Sequence, residues 1–199
     1  MAVSRERFEQ GMTYEQYKEQ MTRNQERFAA NERELMLAPA DLAAFQSLPR
    51  PLHVLVIAED WCGDVIDNLP ILGRIAQESG KLDLRVFLRD QNLDLIDQYL
   101  KEGQFRSIPV FVFFDDAFNE IGRFIERTEV VTERRAQARR ELYAQHPEFG
   151  SPETPISQLP EDVRVKLMEE LAAQRNTTRA ADSQETVRAL REIVSGVPA

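Results

Sequence analysis

Between residues 14 and 35 the apolar positions Tyr14, Tyr17, Met21, Phe28 and Leu35 return at intervals of three, four and seven, one stripe of a helix. Thr13 and Gln16 stand at capping-box spacing, so this helix is expected to start there and run to about Leu35. Its stripe either lies against the rest of the chain or offers a face to a partner helix. Pro39 and Asp41 open a short helix that stops by Pro49. The pattern then changes. From Leu52 to Ala58 every residue except His53 is apolar, the mark of a strand buried on both faces. From Ile66 to Ile75 apolar residues return at helical spacing, with Gly80 as the stop. Leu84, Val86 and Leu88 alternate with Arg85, Phe87 and Arg89, predicting a second strand. Asn92 caps a helix through Leu100 that Gly103 ends. Strands at Val110 to Phe114 and Ile121 to Ile125 flank the polar Asp115-Asp116 turn, and a helix from about Val130 to Tyr143 follows. Past Gly150 the chain turns loop-like, with Pro152, Pro155 and Pro160, and two helices are expected at Glu161 to Gln174 and Ser183 to Val194. The order β-α-β-α-β-β-α, whose first connection is helical, predicts an α/β fold with a central mixed four-stranded sheet flanked by helices, and extra helices at both ends.

Composition narrows the function classes. With 199 residues, 42% hydrophobic and 30% charged, the chain reads as an ordinary globular protein. A net charge of -9 argues against nucleic acid or an anionic membrane as partner. Arg134, Arg135, Arg139 and Arg140 form a local basic patch, read as a solvated helix face rather than a phosphate site. No run reaches the length of a membrane helix, and Met1 to Gln20 is polar, without the apolar core of a signal peptide. A cytoplasmic location is therefore expected. A single cysteine excludes an internal disulfide, and with two histidines it leaves no support for a metal site or a Cys–His pair.

That cysteine carries the candidate chemistry. Glu59-Asp60-Trp61-Cys62-Gly63-Asp64-Val65 lies directly after the buried strand and directly before a helix. A thiol there meets unpaired backbone N–H groups and the positive end of the helix dipole, which favour the nucleophilic thiolate. Glu59, Asp60 and Asp64 oppose this, because nearby carboxylates raise a thiol pKa. Asp64 is also placed to cap the helix.

The run Trp61-Cys62-Gly63-Asp64 resembles the Trp-Cys-Gly-Pro-Cys site of thioredoxins. It is closer still to bacterial thioredoxin-like proteins with a Trp-Cys-Gly-Asp-Cys site and a helical N-terminal extension. Pro70 matches the family's active-site helix proline, and Ile108-Pro109 matches the isoleucine and cis-proline that face the nucleophile. The resemblance covers about Leu52 to Tyr143 and extends weakly back to Tyr14. It implies a helical extension over 1–50 packed on the core, a thioredoxin-like domain over 51–146 and a C-terminal helical extension over 147–199. It makes Cys62 the catalytic residue, supported at the substrate site by Trp61, Gly63, Asp64, Val65, Ile108 and Pro109, with no metal and no cofactor beyond a low-molecular-weight thiol as co-substrate. Two departures matter. Val65 stands where the resolving cysteine belongs, and Val56 replaces the family's buried acid. A dithiol enzyme releases its product when the second thiol attacks the mixed disulfide, and Cys62 has no such neighbour. Three functions stay open: a monothiol redox protein acting on protein thiols or mixed disulfides, a redox-inactive binding module, and a switch that forms a disulfide-linked homodimer.

Overall fold

The computed structural model describes residues 3–196; the outermost ends of the expected 1–50 and 147–199 segments lie outside the described residues. Four strands, β1 (Leu52–Ala58), β2 (Leu82–Leu88), β3 (Val110–Phe114) and β4 (Glu120–Ile125), form one sheet in the order β2-β1-β3-β4. β2 runs parallel to β1, while β3 is antiparallel to both β1 and β4. The sheet is therefore mixed, as the helical first connection requires. β1 and β3 are the central strands, and all of their residues but His53 are buried.

Four helices precede the sheet: α1 (Arg5–Glu9), α2 (Tyr14–Gln20), α3 (Gln25–Glu34) and α4 (Pro39–Gln46). Thr13 and Gln16 close a capping box at the start of α2. The single helix expected to reach Leu35 is broken at Met21–Asn24, and Asn24 enters α3 with a left-handed φ of 56°. The break has a tertiary cause. One carboxylate oxygen of Asp60 accepts from the N–H groups of Thr22 (2.7 Å) and Arg23 (3.0 Å), and the Asn24 amide donates to the Asp60 carbonyl at 2.8 Å. These bonds hold the backbone out of the helix. The stripe still does its work, because Tyr17, Met21 and Phe28 are buried in the main core, with Tyr14 and Leu35 packed against it.

α5 (Gly63–Ser79) connects β1 to β2 and packs against α3, α4 and β2. Ten of its residues are buried, from Asp64 through Ile75. The helix expected over Asn92 to Leu100 is one turn, α6 (Leu93–Ile96), preceded by a 3₁₀ turn at Arg89–Gln91. The Asn92 side chain does not cap it, since its amide donates to the Leu88 carbonyl instead.

By packing, the chain forms two units: residues up to Arg127 together with those from Thr186, and residues Thr128–Glu185. In the first unit the helices before β1 share one core with the sheet, and so do Val187, Leu190 and Val194 near the C-terminus. The second unit holds α7 (Glu129–Gln145), two 3₁₀ turns and α8 (Glu161–Ser195) as far as Glu185. Its small core is Leu142, Tyr143, Phe149 and Leu167, with Ile156, Leu159, Val163 and Leu171 around it. Arg134 and Arg135 of the basic patch both pair with Asp182.

The two helices expected after Pro160 are one continuous helix, α8. No glycine or proline interrupts Arg175–Asp182, and the hydroxyls of Thr177 and Thr178 donate back to carbonyls three residues earlier. Polar residues removed the apolar periodicity there without stopping the helix. Among the described residues, no helix is long and apolar enough to cross a membrane.

Candidate functional site

The site is built where β1 ends and α5 begins. Glu59, Asp60 and Trp61 form the turn, and Cys62 is the N-cap residue of α5, with extended backbone (φ -85°, ψ 119°). Its carbonyl accepts the first helical bond, from Ile66 at 3.1 Å. Cys62 is half-buried, and its thiol donates to the Ile108 carbonyl at 3.4 Å. The Ile108–Pro109 peptide bond is cis. Thus Trp61, Cys62, Gly63, Ile108 and Pro109 are brought together around one sulfur. Trp61 is 41% exposed, and the Arg89 guanidinium lies 4.7 Å from the centre of its ring, which leaves the indole on the rim of the site. Val65, in the first turn of α5, is fully buried, and so is Val56 in β1.

Asp64 does not cap the helix. Its carboxylate accepts from Arg127 Nη1 at 2.5 Å. Arg127 also pairs with Glu126 at 2.8 Å, and Glu126 pairs with Lys101 at 2.6 Å. Two carboxylates and two cations thus alternate in a row that starts at Asp64, two residues past Cys62. Glu126 is further tied through its backbone: its N–H donates to the Pro109 carbonyl at 2.7 Å, and its own carbonyl accepts from the Asn68 amide of α5 at 3.0 Å.

These surroundings set the charge state of the sulfur. Burial pushes the Cys62 thiol above its ordinary pKa. The N–H groups of Val65 and Asp64 at the start of α5 pull the other way, while the charges of Asp64 and Glu126 add to the rise. The net direction is up, so the helix start does not prevail. Burial also raises Glu59, which accepts from the Asp90 N–H at 2.8 Å. For Asp60, burial acts upward but is outweighed by the donors from Thr22 and Arg23, and its pKa is lowered.

Neither histidine joins the site. His53, at the start of β1, lies 3.2 Å from Asp83 and stacks on Phe118, and His146 pairs with Glu148. Among the described residues, no group of three or more His, Cys, Asp or Glu side chains is placed to hold a metal ion.

The sequence model of the thioredoxin family matches residues 11–139. The chain belongs to the thioredoxin family. No curated protein sequence matches it. Among solved structures it is similar to a protein of unknown function from Pseudomonas aeruginosa, with a TM-score of 0.69 and 22% identity over 98% of this chain and 99% of that one. It is also similar to an HIV epitope-scaffold, with a TM-score of 0.66 and 18% identity over 98% of this chain and 100% of the other. At these identities the likeness is one of fold. The family match begins at residue 11, so the thioredoxin unit takes in α2 and α3 before the sheet.

Sequence reasoning missed several groups around the sulfur of this thioredoxin-family site. Asn68 had a visible signal, a lone amide within the apolar run of α5. Glu126, Arg127 and Lys101 had none, because their spacing along the chain says nothing of their meeting. Tyr17 belongs to the α2 stripe by its spacing; it is fully buried, its hydroxyl has no hydrogen-bond partner among the described residues, and burial followed by the charges of Asp60 and Glu59 pushes its pKa up.

Proposed function

We propose that this thioredoxin-family protein works through Cys62 as a single-thiol exchanger of mixed disulfides, slow at neutral pH. The observation that carries the reading is the position of the sulfur: half-buried at the first turn of α5, facing the Ile108–Pro109 loop and bordered by exposed Trp61. In this scheme the Cys62 thiolate attacks a disulfide between a target protein and a small thiol. A sulfur–sulfur bond forms between Cys62 and the small thiol, and the target leaves as its thiolate. A second small-thiol thiolate then attacks that adduct, releasing the symmetric small disulfide and regenerating Cys62. Val65 is no obstacle, since the resolving sulfur arrives from solution. The partners in this scheme are protein thiols in mixed disulfide with a low-molecular-weight thiol, which serves as co-substrate.

The test is incubation of the purified protein with an oxidised small thiol, followed by intact mass and peptide mapping. One adduct on Cys62, gained faster as pH rises, is expected. A protein that stays unmodified from pH 7 to pH 9.5 would sink the proposal.

A second reading is favoured by one specific observation, the upward-shifted thiol beside the Asp64 and Glu126 carboxylates. On that reading the fold is kept as a protein-binding module and Cys62 stays a thiol in use. Full cellular function of a Cys62→Ser variant supports this second reading, and loss of function supports the first.

A further inference from the structure

The C-terminal end of α8 is joined by hydrogen bonds, through α5, to the segment that follows β4. Thr186 is buried, and its hydroxyl donates to the Asn68 side-chain oxygen at 2.9 Å, across 118 positions of sequence. The same Asn68 amide group donates through Nδ2 to the Glu126 carbonyl at 3.0 Å. With its oxygen engaged by Thr186, the amide is fixed in the orientation that turns its N–H toward Glu126.

Glu126 needs such a hold. Its φ is +63°, a left-handed conformation that a residue with a side chain rarely adopts. Two backbone bonds pin it, one to Pro109 and one from Asn68. In that conformation its carboxylate reaches Lys101 on one oxygen and Arg127 on the other, while its N–H holds the Pro109 carbonyl, one residue from the Ile108 carbonyl that receives the thiol. We propose that Thr186 is a positioning residue for the Cys62 thiol, acting through Asn68 to hold the Glu126 carboxylate beside it. The inference rests on Cys62 being the working thiol of the protein.

The direction of the effect follows from charge. The titratable groups of the segments that meet at Cys62 are Asp64 on α5, Glu126 and Arg127 after β4, Tyr17 on α2, and Glu59 and Asp60 in the preceding turn, with Lys101 paired to Glu126. Of these, Glu126 is the anion whose place depends on Asn68. Held in position, it disfavours the thiolate. Released, its segment relaxes out of the left-handed conformation and the carboxylate moves away from the sulfur, so the thiolate forms more readily.

The experiment is the pH dependence of Cys62 alkylation by iodoacetamide, with thermal melting recorded alongside. Thr186→Val is expected to raise the alkylation rate at pH 7 by about two- to fivefold, a downward shift of a few tenths of a pH unit in the titration midpoint. Thr186→Ser restores the wild-type profile. Glu126→Gln moves the midpoint the same way, and adding Thr186→Val to it produces no further shift. Should Thr186→Val fail to fold, Asn68→Ala breaks the same line from the other side and must reproduce the shift. A folded Thr186→Val or Asn68→Ala protein with a lower melting temperature and an unmoved midpoint overturns the proposal, because that is the signature of packing alone. Alkylation reads the thiol whether or not it exchanges with disulfides, so this result stands apart from the adduct test above.

Discussion

At Cys62 two ordinary influences meet, and their balance has a measurable consequence. Backbone N–H groups of Asp64 and Val65 favour the thiolate, and burial with two nearby carboxylates favours the thiol. The second set wins, so the folded protein binds the thiol proton more tightly than the unfolded chain, whose cysteine titrates near ~8.5. The sign follows from linkage: this contribution to stability is fully present below the unfolded value and is lost as pH rises through the higher folded value. Wild type should therefore lose denaturant resistance faster than Cys62→Ser between pH 8 and pH 10.5. Buried Tyr14 and Tyr17 also resist ionisation, chiefly through burial, which is common to both proteins. Parallel curves for the two proteins would mean that the fold does not perturb the thiol. At this scale the sequence exposed the opposing influences but not the winner. A count of neighbouring acids says nothing of Arg127 compensating Asp64, or of how much water the sulfur keeps.

Among the elements, the helices show where pattern reading succeeds and where it fails. The α2 capping box and the stripe Tyr17, Met21 and Phe28 were legible because both depend on residues within a few turns of one another. The break at Met21–Asn24 was not, since its cause is Asp60, whose carboxylate and carbonyl lie 36 to 38 residues away. In α8 the error ran the other way, with polar residues mistaken for a gap in a continuous helix. Contact between α2 and α5 is similarly specific. The Tyr14 ring lies directly over Gly73, where an added Cβ would overlap it, and the Tyr14 hydroxyl donates to Glu32 at 2.8 Å. Gly73→Ala is expected to push the ring out and break that bond, at a cost of about 1–3 kcal/mol. Urea denaturation measures it, and adding Tyr14→Leu to Gly73→Ala should recover part of the loss. An unchanged midpoint in Gly73→Ala would show that α2 does not seat on α5 in this way.

For the whole molecule, the last helical turns belong to the core of the thioredoxin unit. Val187, Leu190 and Val194 are buried in it, Arg191 pairs with Asp41, and Ile193 would lie 3.0 Å from a Cβ placed on Gly122 of β4. Leu190→Ala should therefore cost the thioredoxin unit about 2–5 kcal/mol. Trp61, the one tryptophan of the chain, lies in that unit and reports its unfolding by fluorescence. A Trp61 transition unmoved by Leu190→Ala would place the C-terminal turns outside the unit's cooperative core. Such long-range closure was not legible in advance: an apolar stripe declares that a helix buries a face, and not which core receives it. The sequence by itself determined the strands and their order, the helical crossover after β1, the single cysteine at the junction of β1 and α5, and the absence of a second thiol. All of these follow from local periodicity and from counting residues. Only the tertiary structure decided the break after α2, the burial of the last turns of α8 in the first core, and the row of charges from Lys101 to Asp64, of which Asp64 and Glu126 act on the sulfur. The reason is physical: desolvation and Coulomb interaction depend on distances in space, and the sequence states only distances along the chain.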